Sequence, residues 1–334
     1  LDASKLWGLD TFTVQKEIMQ LHGKEVRVLC IGQAGENLVR LSTISTETGY
    51  AAAKIGGGAV MGAKNLKAVA VKGSGGIKIA RVDEFLEVAR EGWELTHAHP
   101  VRDWSTEGPY RRIIEYTRKY RTKYVSCFGC PVNCRNWIEF PGLQPGEAMC
   151  AGGWWYQIIG SRDEKAIWEG RLLADQYGLC AHTVLDLIRW LMEVYKGGLI
   201  TEEETGIPWS QFGSSEFITT FLRKIAFREG FGDILANGPA RAAQRLGPEI
   251  SKNFSYYFPA YGQGEHYEPR AYPMYLLQWA FDSRDPLIDA HDWSTTLNWE
   301  TFSWPESQAG HHTLEGAKAI GKKYYGSEEA FNPH

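Results

Sequence analysis

At 334 residues, with a net charge of −4 and a pI near 6.2, the chain carries no basic field of the kind that draws nucleic acid. Its length allows two or three domains, and 43% hydrophobic residues is ordinary for a globular protein. No apolar run approaches the ~20 residues of a membrane helix, and Leu1 to Lys5 lack a signal-peptide pattern.

Taken in order, Thr11 to Leu21 reads as a capped amphipathic helix. Val26 to Gly32 reads as a buried strand that ends in a turn over Gly32 to Asn37. Cys30, inside that apolar run, is a core residue on this reading. A second strand is expected over Leu38 to Ile44. The run Gly56-Gly57-Gly58 then precedes a strand at Ala68 to Val71. Adjacent glycines let backbone N–H groups approach an anion, and Lys54, Lys64 and Lys67 add positive charge, so a phosphate-bearing cofactor fits here. A tight turn between packed elements explains the glycines equally well. Neither a Walker loop nor a dinucleotide fingerprint is present.

Lys72 to Gly76 is the clearest linker, and the pattern beyond it turns helical. Val82, Phe85, Leu86, Ala89 and Trp93 share one helical face. A further helix is expected over Tyr110 to Arg121. Its basic residues form a solvated face or dock an acidic electron-transfer partner or an anionic substrate. Cys127-Phe128-Gly129-Cys130-Pro131-Val132-Asn133-Cys134 follows, with three of the six cysteines spaced C-x2-C-x3-C. The spacing favours an iron–sulfur cluster, since a [4Fe–4S] cube takes four cysteines, often three from one loop and one from elsewhere. Structural zinc would want two separated knuckles or a Cys/His pair. The order is also the reverse of the C-x3-C-x2-C loop of radical enzymes.

Arg162 to Gln176 reads as a helix with Gly178 as its left-handed cap. Val184 to Val194 continues as another, with Cys180 at its N-terminus, where the helix dipole favours thiolate. A thiolate there is a soft-metal ligand, or else a buried cysteine filling a helix start. Ser215 to Arg228 and Gly232 to Leu246 give two further helices. The loop Gly262 to Arg270 gathers Glu265, His266, Glu268 and Arg270. That set suits acid–base or anion chemistry, or simply a hydrated loop with internal ion pairs. With so few scattered cysteines, the setting expected is a reducing cytoplasm. Leu1 is no initiator Met, so a longer protein is expected.

Five segments together resemble the tungsten-containing aldehyde:ferredoxin oxidoreductase family. They are Asp2-Ala3-Ser4-x-Leu6-Trp7-Gly8, Ile31-Gly32-x-Ala34-Gly35-Glu36-Asn37, the Gly58 to Ala68 block, the cysteine loop, and Asp175-x-x-Gly178-Leu179. The resemblance covers essentially the whole chain and implies an α+β fold. Residues 1–73 would end a β-rich pterin-binding domain, 77–257 would form a helical iron–sulfur and pterin-binding domain, and 258–334 would start a helical C-terminal domain. It implies a tungsten bis-pyranopterin, or molybdenum on the same ligands, beside a [4Fe–4S] cluster. Cys127, Cys130 and Cys134 would hold the cluster, its fourth ligand lying outside the chain, with Cys150 a weaker candidate inside it. Lys54, Ile55, Gly56, Gly57, Asp175, Gly178, Leu179 and Arg270 would contact the cofactor. Lys54 takes the place of the family's arginine and keeps its charge without the bidentate fork. Glu147 and His266 would be catalytic, with Tyr267 displacing the family's histidine and Glu268 in its aspartate position.

Cys180 departs from the aldehyde enzymes, which commonly carry an acidic residue there. A cysteine resembles the catalytic subunit of class II benzoyl-CoA reductase, in which a thiolate ligates tungsten. The resemblance therefore implies reduction of an aromatic acyl-CoA with electrons from an iron–sulfur subunit or ferredoxin, in an oligomer without a membrane span. Aldehyde oxidation to carboxylates is the alternative. A non-catalytic iron–sulfur or zinc scaffold that has lost its pterin is a third reading.

Overall fold

The computed structural model describes residues 1–46, 49–53, 56–98, 118–125, 135–148, 163–252, 254, 322 and 326–327. The chain divides into two compact units. The first comprises residues 1–78 and 105–263, the second 79–104 and 264–334. In the second unit the described element is helix α4 (Val82–Ala98), which opens with Asp83 and Glu84 in its first turn, where they suit the helix dipole.

The first unit begins with α1 (Thr11–His22). Asp10 caps it by accepting from the Phe12 and Thr13 amides, and Gly23 at φ 108 ends it. Four antiparallel strands follow in the order β3-β2-β1-β4: β1 (Arg27–Cys30), β2 (Ile44–Thr46), β3 (Tyr50–Ala52) and β4 (Ala68–Val71). Cys30 pairs with Ala68 on one side and Ser45 on the other. Residues alternate along β1, so Val28 and Cys30 turn inward with Val26 onto Val14 and Ile18 of α1. Two short helices, α2 (Gln33–Glu36) and α3 (Gly57–Ala63), lie between the strands.

The expected strand over Leu38 to Ile44 does not form as such. Leu38 has φ 56, which no strand residue adopts, and the ladder begins only at Ile44. Residues 39–43 instead run alongside a helix end in the other half of the unit.

A second, three-stranded antiparallel sheet holds β5 (Arg121–Val125), β6 (Arg135–Ile138) and β7 (Gly146–Ala148) in that order. Strand residues thus begin at Arg121, where helix was expected to end. Pairing of Val125 with Arg135 brings together the two ends of the segment that carries Cys127, Cys130 and Cys134.

The helical half comprises α5 (Glu164–Tyr177), α6 (Ala181–Lys196), α7 (Glu202–Thr205), α8 (Ser215–Ala226), α9 (Phe231–Leu235), α10 (Pro239–Leu246) and α11 (Pro248–Ser251). Gly170 lets α5 and α8 approach closely: a Cβ there would lie 2.7 Å from Ile218 Cγ1. The expected helix from Gly232 to Leu246 is broken in two, because Gly238 takes φ 92 and Pro239 starts afresh at the first helical position. Many of the described aromatic residues go into this core. Trp168 and Trp209 are 1% exposed, and Trp209 packs on Phe217 and Phe221. No helix among the described residues is long and apolar enough to cross a membrane.

Candidate cofactor site

Residues 40–43 connect several of the candidate site residues. The Cys180 amide donates to the Leu41 carbonyl at 2.9 Å, and the Thr43 amide donates to the Gly178 carbonyl at 2.8 Å. Ser42 sits opposite Leu179 in an antiparallel bridge. The other side of the same segment meets the glycine run. A Cβ on Gly56 would lie 2.5 Å from the Arg40 carbonyl oxygen, and one on Gly58 would lie 2.5 Å from that of Thr43. Gly56 also takes φ 69. The glycines are therefore required by protein packing in the first place. That packing sets Gly56 and Gly57 on one flank of residues 40–43 and Gly178, Leu179 and Cys180 on the other, joining two regions more than a hundred residues apart in sequence.

Gly178 is the left-handed cap of α5 at φ 72, and the chain turns there directly into α6. Cys180 is the N-cap residue of that 16-residue helix and is 1% exposed. Its sulfur accepts a hydrogen bond from Thr183 Oγ1 at 3.3 Å. Cys30, the other free cysteine described, differs from it. Its thiol donates to the Thr11 carbonyl at 3.4 Å, and burial pushes its pKa up to about 12. Cys30 is a protonated core thiol, as its place in an apolar strand indicates.

Asp175 and Glu147 meet at a residue that the motifs did not single out, Arg171. One guanidinium nitrogen of Arg171 pairs with the Asp175 carboxylate one turn along α5, and another donates to the Glu147 carbonyl at 3.2 Å. Arg171 is 3% exposed and Glu147 6%. Thr11 Oγ1 donates to the Asp175 carbonyl at 2.8 Å, which ties α1 to the same helix end. The i,i+4 spacing of Arg171 and Asp175 is visible in the sequence. The reach to Glu147 is not, because it depends on where β7 packs.

Lys67, read from sequence as a charge available to a phosphate, is not available. It is 1% exposed, pairs with Glu36, and donates to the Leu9 carbonyl at 2.8 Å. Glu36 in turn accepts the Gly8 amide with both oxygens at 2.9 Å. Lys64 is exposed. Lys54, Ile55, Cys127, Cys130, Cys134, Cys150, His266 and Arg270 lie outside the described residues, as do Tyr267 and Glu268. Among the described residues no three His, Cys, Asp or Glu side chains converge as a metal site.

Two buried polar atoms in this framework lack a protein partner among the described residues, Ser42 Oγ beside Gly58 and Arg171 Nε. Arg171 Nε and the Ser42 hydroxyl are donors of the kind an anionic group takes, and the Cys180 sulfur is a soft ligand of the kind a metal takes.

Residues 1–73 match the N-terminal domain of aldehyde ferredoxin oxidoreductase, and residues 88–328 match its domains 2 and 3. The chain belongs to the aldehyde ferredoxin oxidoreductase family. It is 32% identical to the tungsten-containing aldehyde ferredoxin oxidoreductase of Pyrococcus abyssi, over 85% of this chain and 52% of that one. It is 33% identical to the Pyrococcus furiosus enzyme of the same name, over 75% and 47%. Its fold is similar to the active site complex BamBC of benzoyl coenzyme A reductase in complex with 1,5-dienoyl-CoA. That match has a TM-score of 0.68 and 26% identity, and covers 82% of this chain and 48% of that one. The chain thus spans about half the length of the relatives it matches. The fold is α+β, as the resemblance implied.

Proposed function

We propose that the chain is the cofactor-bearing part of a tungsten–pterin oxidoreductase that reduces the ring of an aromatic acyl-CoA. The observation that carries this reading is Cys180. It is a buried sulfur at a helix N-terminus, accepting rather than donating a hydrogen bond, and held by its own amide to the segment that also packs the glycine run. The similarity to the benzoyl coenzyme A reductase complex with 1,5-dienoyl-CoA supports the substrate class.

In this reading residues 1–73 end the pterin-binding domain, 77–257 form the helical iron–sulfur and pterin-binding domain, and 258–334 open the C-terminal domain. Cys127, Cys130 and Cys134 hold a [4Fe–4S] cluster, with the paired ends of β5 and β6 as the base of their segment. Lys54, Ile55, Gly56, Gly57, Asp175, Gly178, Leu179 and Arg270 contact the pterins, and Cys180 is the protein ligand to the metal. The bound metal–pterin group supplies low-potential electron transfer. The protein's part is to seat the ring, exclude water and deliver protons. Two electrons from an iron–sulfur partner and two protons convert the aromatic ring to a cyclic diene, and Glu147 and His266 are the proton-handling residues. Burial of Glu147 suits this role, since a dry site suppresses loss of electrons to solvent protons. Thiolate ligation of this kind belongs in a reducing, cytoplasmic setting.

Tungsten X-ray absorption on the intact complex tests the assignment. Five sulfur ligands and turnover of an aromatic thioester are expected. Four sulfurs with ready oxidation of simple aldehydes would move the chain to the second reading, aldehyde oxidation. That reading is favoured by the names of its Pyrococcus relatives.

A further inference from the structure

Thr183 stands one turn into α6, is 2% exposed, and directs its hydroxyl to the Cys180 sulfur. A threonine inside a helix commonly donates back to the carbonyl three or four residues earlier. Among the described residues, Thr205 does so to the Thr201 carbonyl at 2.8 Å and Thr219 to that of Ser215 at 2.7 Å. Thr183 has no such bond, and its one hydrogen bond among the described residues goes to sulfur.

The sulfur's behaviour is the second observation. A buried thiol ordinarily places its proton on an acceptor, as Cys30 does with the Thr11 carbonyl. Cys180 has no acceptor among the described residues and itself receives a proton donor. A buried hydroxyl directed onto a sulfur at a helix N-terminus is the arrangement that suits a metal-bound sulfur.

We infer that Thr183 is a positioning residue for the metal centre: its hydroxyl holds the Cys180 sulfur in one orientation and withdraws charge from the metal–sulfur bond. The inference rests on Cys180 being the metal ligand, as proposed above. A hydrogen bond to a ligating sulfur weakens its donation to the metal, which favours the reduced state and raises the potential. Oriented amides at the start of α6 act in the same sense.

The test compares wild type, Thr183→Val and Thr183→Ser in the intact, metal-loaded complex. Valine keeps the shape and removes the donor, whereas serine keeps the donor. X-ray absorption counts the sulfur ligands, and an EPR-monitored redox titration reads the midpoint of the tungsten centre. The expected result is five sulfurs throughout, a midpoint displaced to more negative potential in Thr183→Val, and a midpoint restored in Thr183→Ser. Should the valine variant fail to load metal, Thr183→Ala is titrated in its place with the same expectation. Five sulfurs with an unmoved midpoint in the donor-free variant would overturn the role of Thr183 and leave Cys180 as ligand. Four sulfurs in wild type would overturn both.

Discussion

The amide of Cys180 donates to the carbonyl of Leu41 at 2.9 Å, so the sulfur's position is set by a segment 139 residues earlier in the chain. That segment is pressed from its other side by Gly58, whose missing side chain is what allows the approach. A methyl group at position 58 would meet the Thr43 carbonyl at 2.5 Å and the Ser42 hydroxyl at 2.7 Å, and backbone cannot yield as a flexible side chain does. Gly58→Ala is expected to displace residues 42–43, loosen the pairing with 178–180 and release cofactor. Gly75→Ala in the linker, where a Cβ would meet nothing within 4 Å, is the control and is expected to be neutral. Urea unfolding of both variants, with metal analysis after gel filtration, checks this. Retention of wild-type metal content by Gly58→Ala would refute it.

Much of this framework is legible in the sequence where local chemistry decides it. Asp10 before an apolar-periodic run marks the start of α1, and Gly178 marks the end of α5 because left-handed backbone favours glycine. Legibility stops where the partner is distant. Leu38, Val39 and Leu41 look like strand residues, yet Leu38 and Val39 fold back onto the Ala34 and Gly35 carbonyls and Leu41 meets Cys180, and the positive φ of Leu38 has no sequence signal. Lys67 reads as a solvent charge because Glu36, its partner, lies 31 residues away across the β1–α2 turn. The sheet flanking the cysteine segment is not legible in the sequence, because short polar strands such as Arg121 to Val125 carry little hydrophobic alternation.

Arg171 is the next residue to test. It links Asp175 on α5 to the backbone of Glu147 on β7, so both proposed site residues depend on one buried cation. Removing one member of a buried ion pair leaves an uncompensated charge, typically at a cost of about 3–5 kcal/mol. Arg171→Leu is expected to destabilise the protein by about that amount. The double variant Arg171→Leu/Asp175→Leu is expected to recover part of the loss, because no charge is then left unpaired. A double-mutant cycle in urea measures the coupling. Strict additivity of the two single effects would show that the pair is not an energetic unit.

The same reasoning applies to Lys67 and Glu36, which lie beneath the N-terminal turn. Glu36 accepts the Gly8 amide with both oxygens, and Lys67 donates to the Leu9 carbonyl, so the pair fastens residues 8–9 to α2 and β4. Lys67→Met leaves the Glu36 carboxylate buried without its cation and is expected to cost about 3 kcal/mol or more. Lys64→Met, three residues earlier and exposed, is expected to change stability by less than about 0.5 kcal/mol. Equal melting temperatures for the two variants would contradict the assignment of Lys67 to structure.

Cys30 gives a prediction in pH. Burial raises its folded pKa from the ordinary thiol value of 9.0 to about 12, whereas in the unfolded chain it titrates near the ordinary value. Between those values the folded state holds a proton that the unfolded state has lost. Stability from this group is therefore complete below pH 9 and is lost progressively as pH rises towards 12. Cys30→Val removes the titration while keeping a buried apolar side chain. Unfolding free energies of wild type and Cys30→Val, measured from pH 8 to pH 11, are expected to run parallel at the low end. Above pH 9 the wild type is expected to fall away from the variant. Parallel curves throughout would mean that the Cys30 sulfur reaches solvent, in conflict with its full burial between α1 and the sheet.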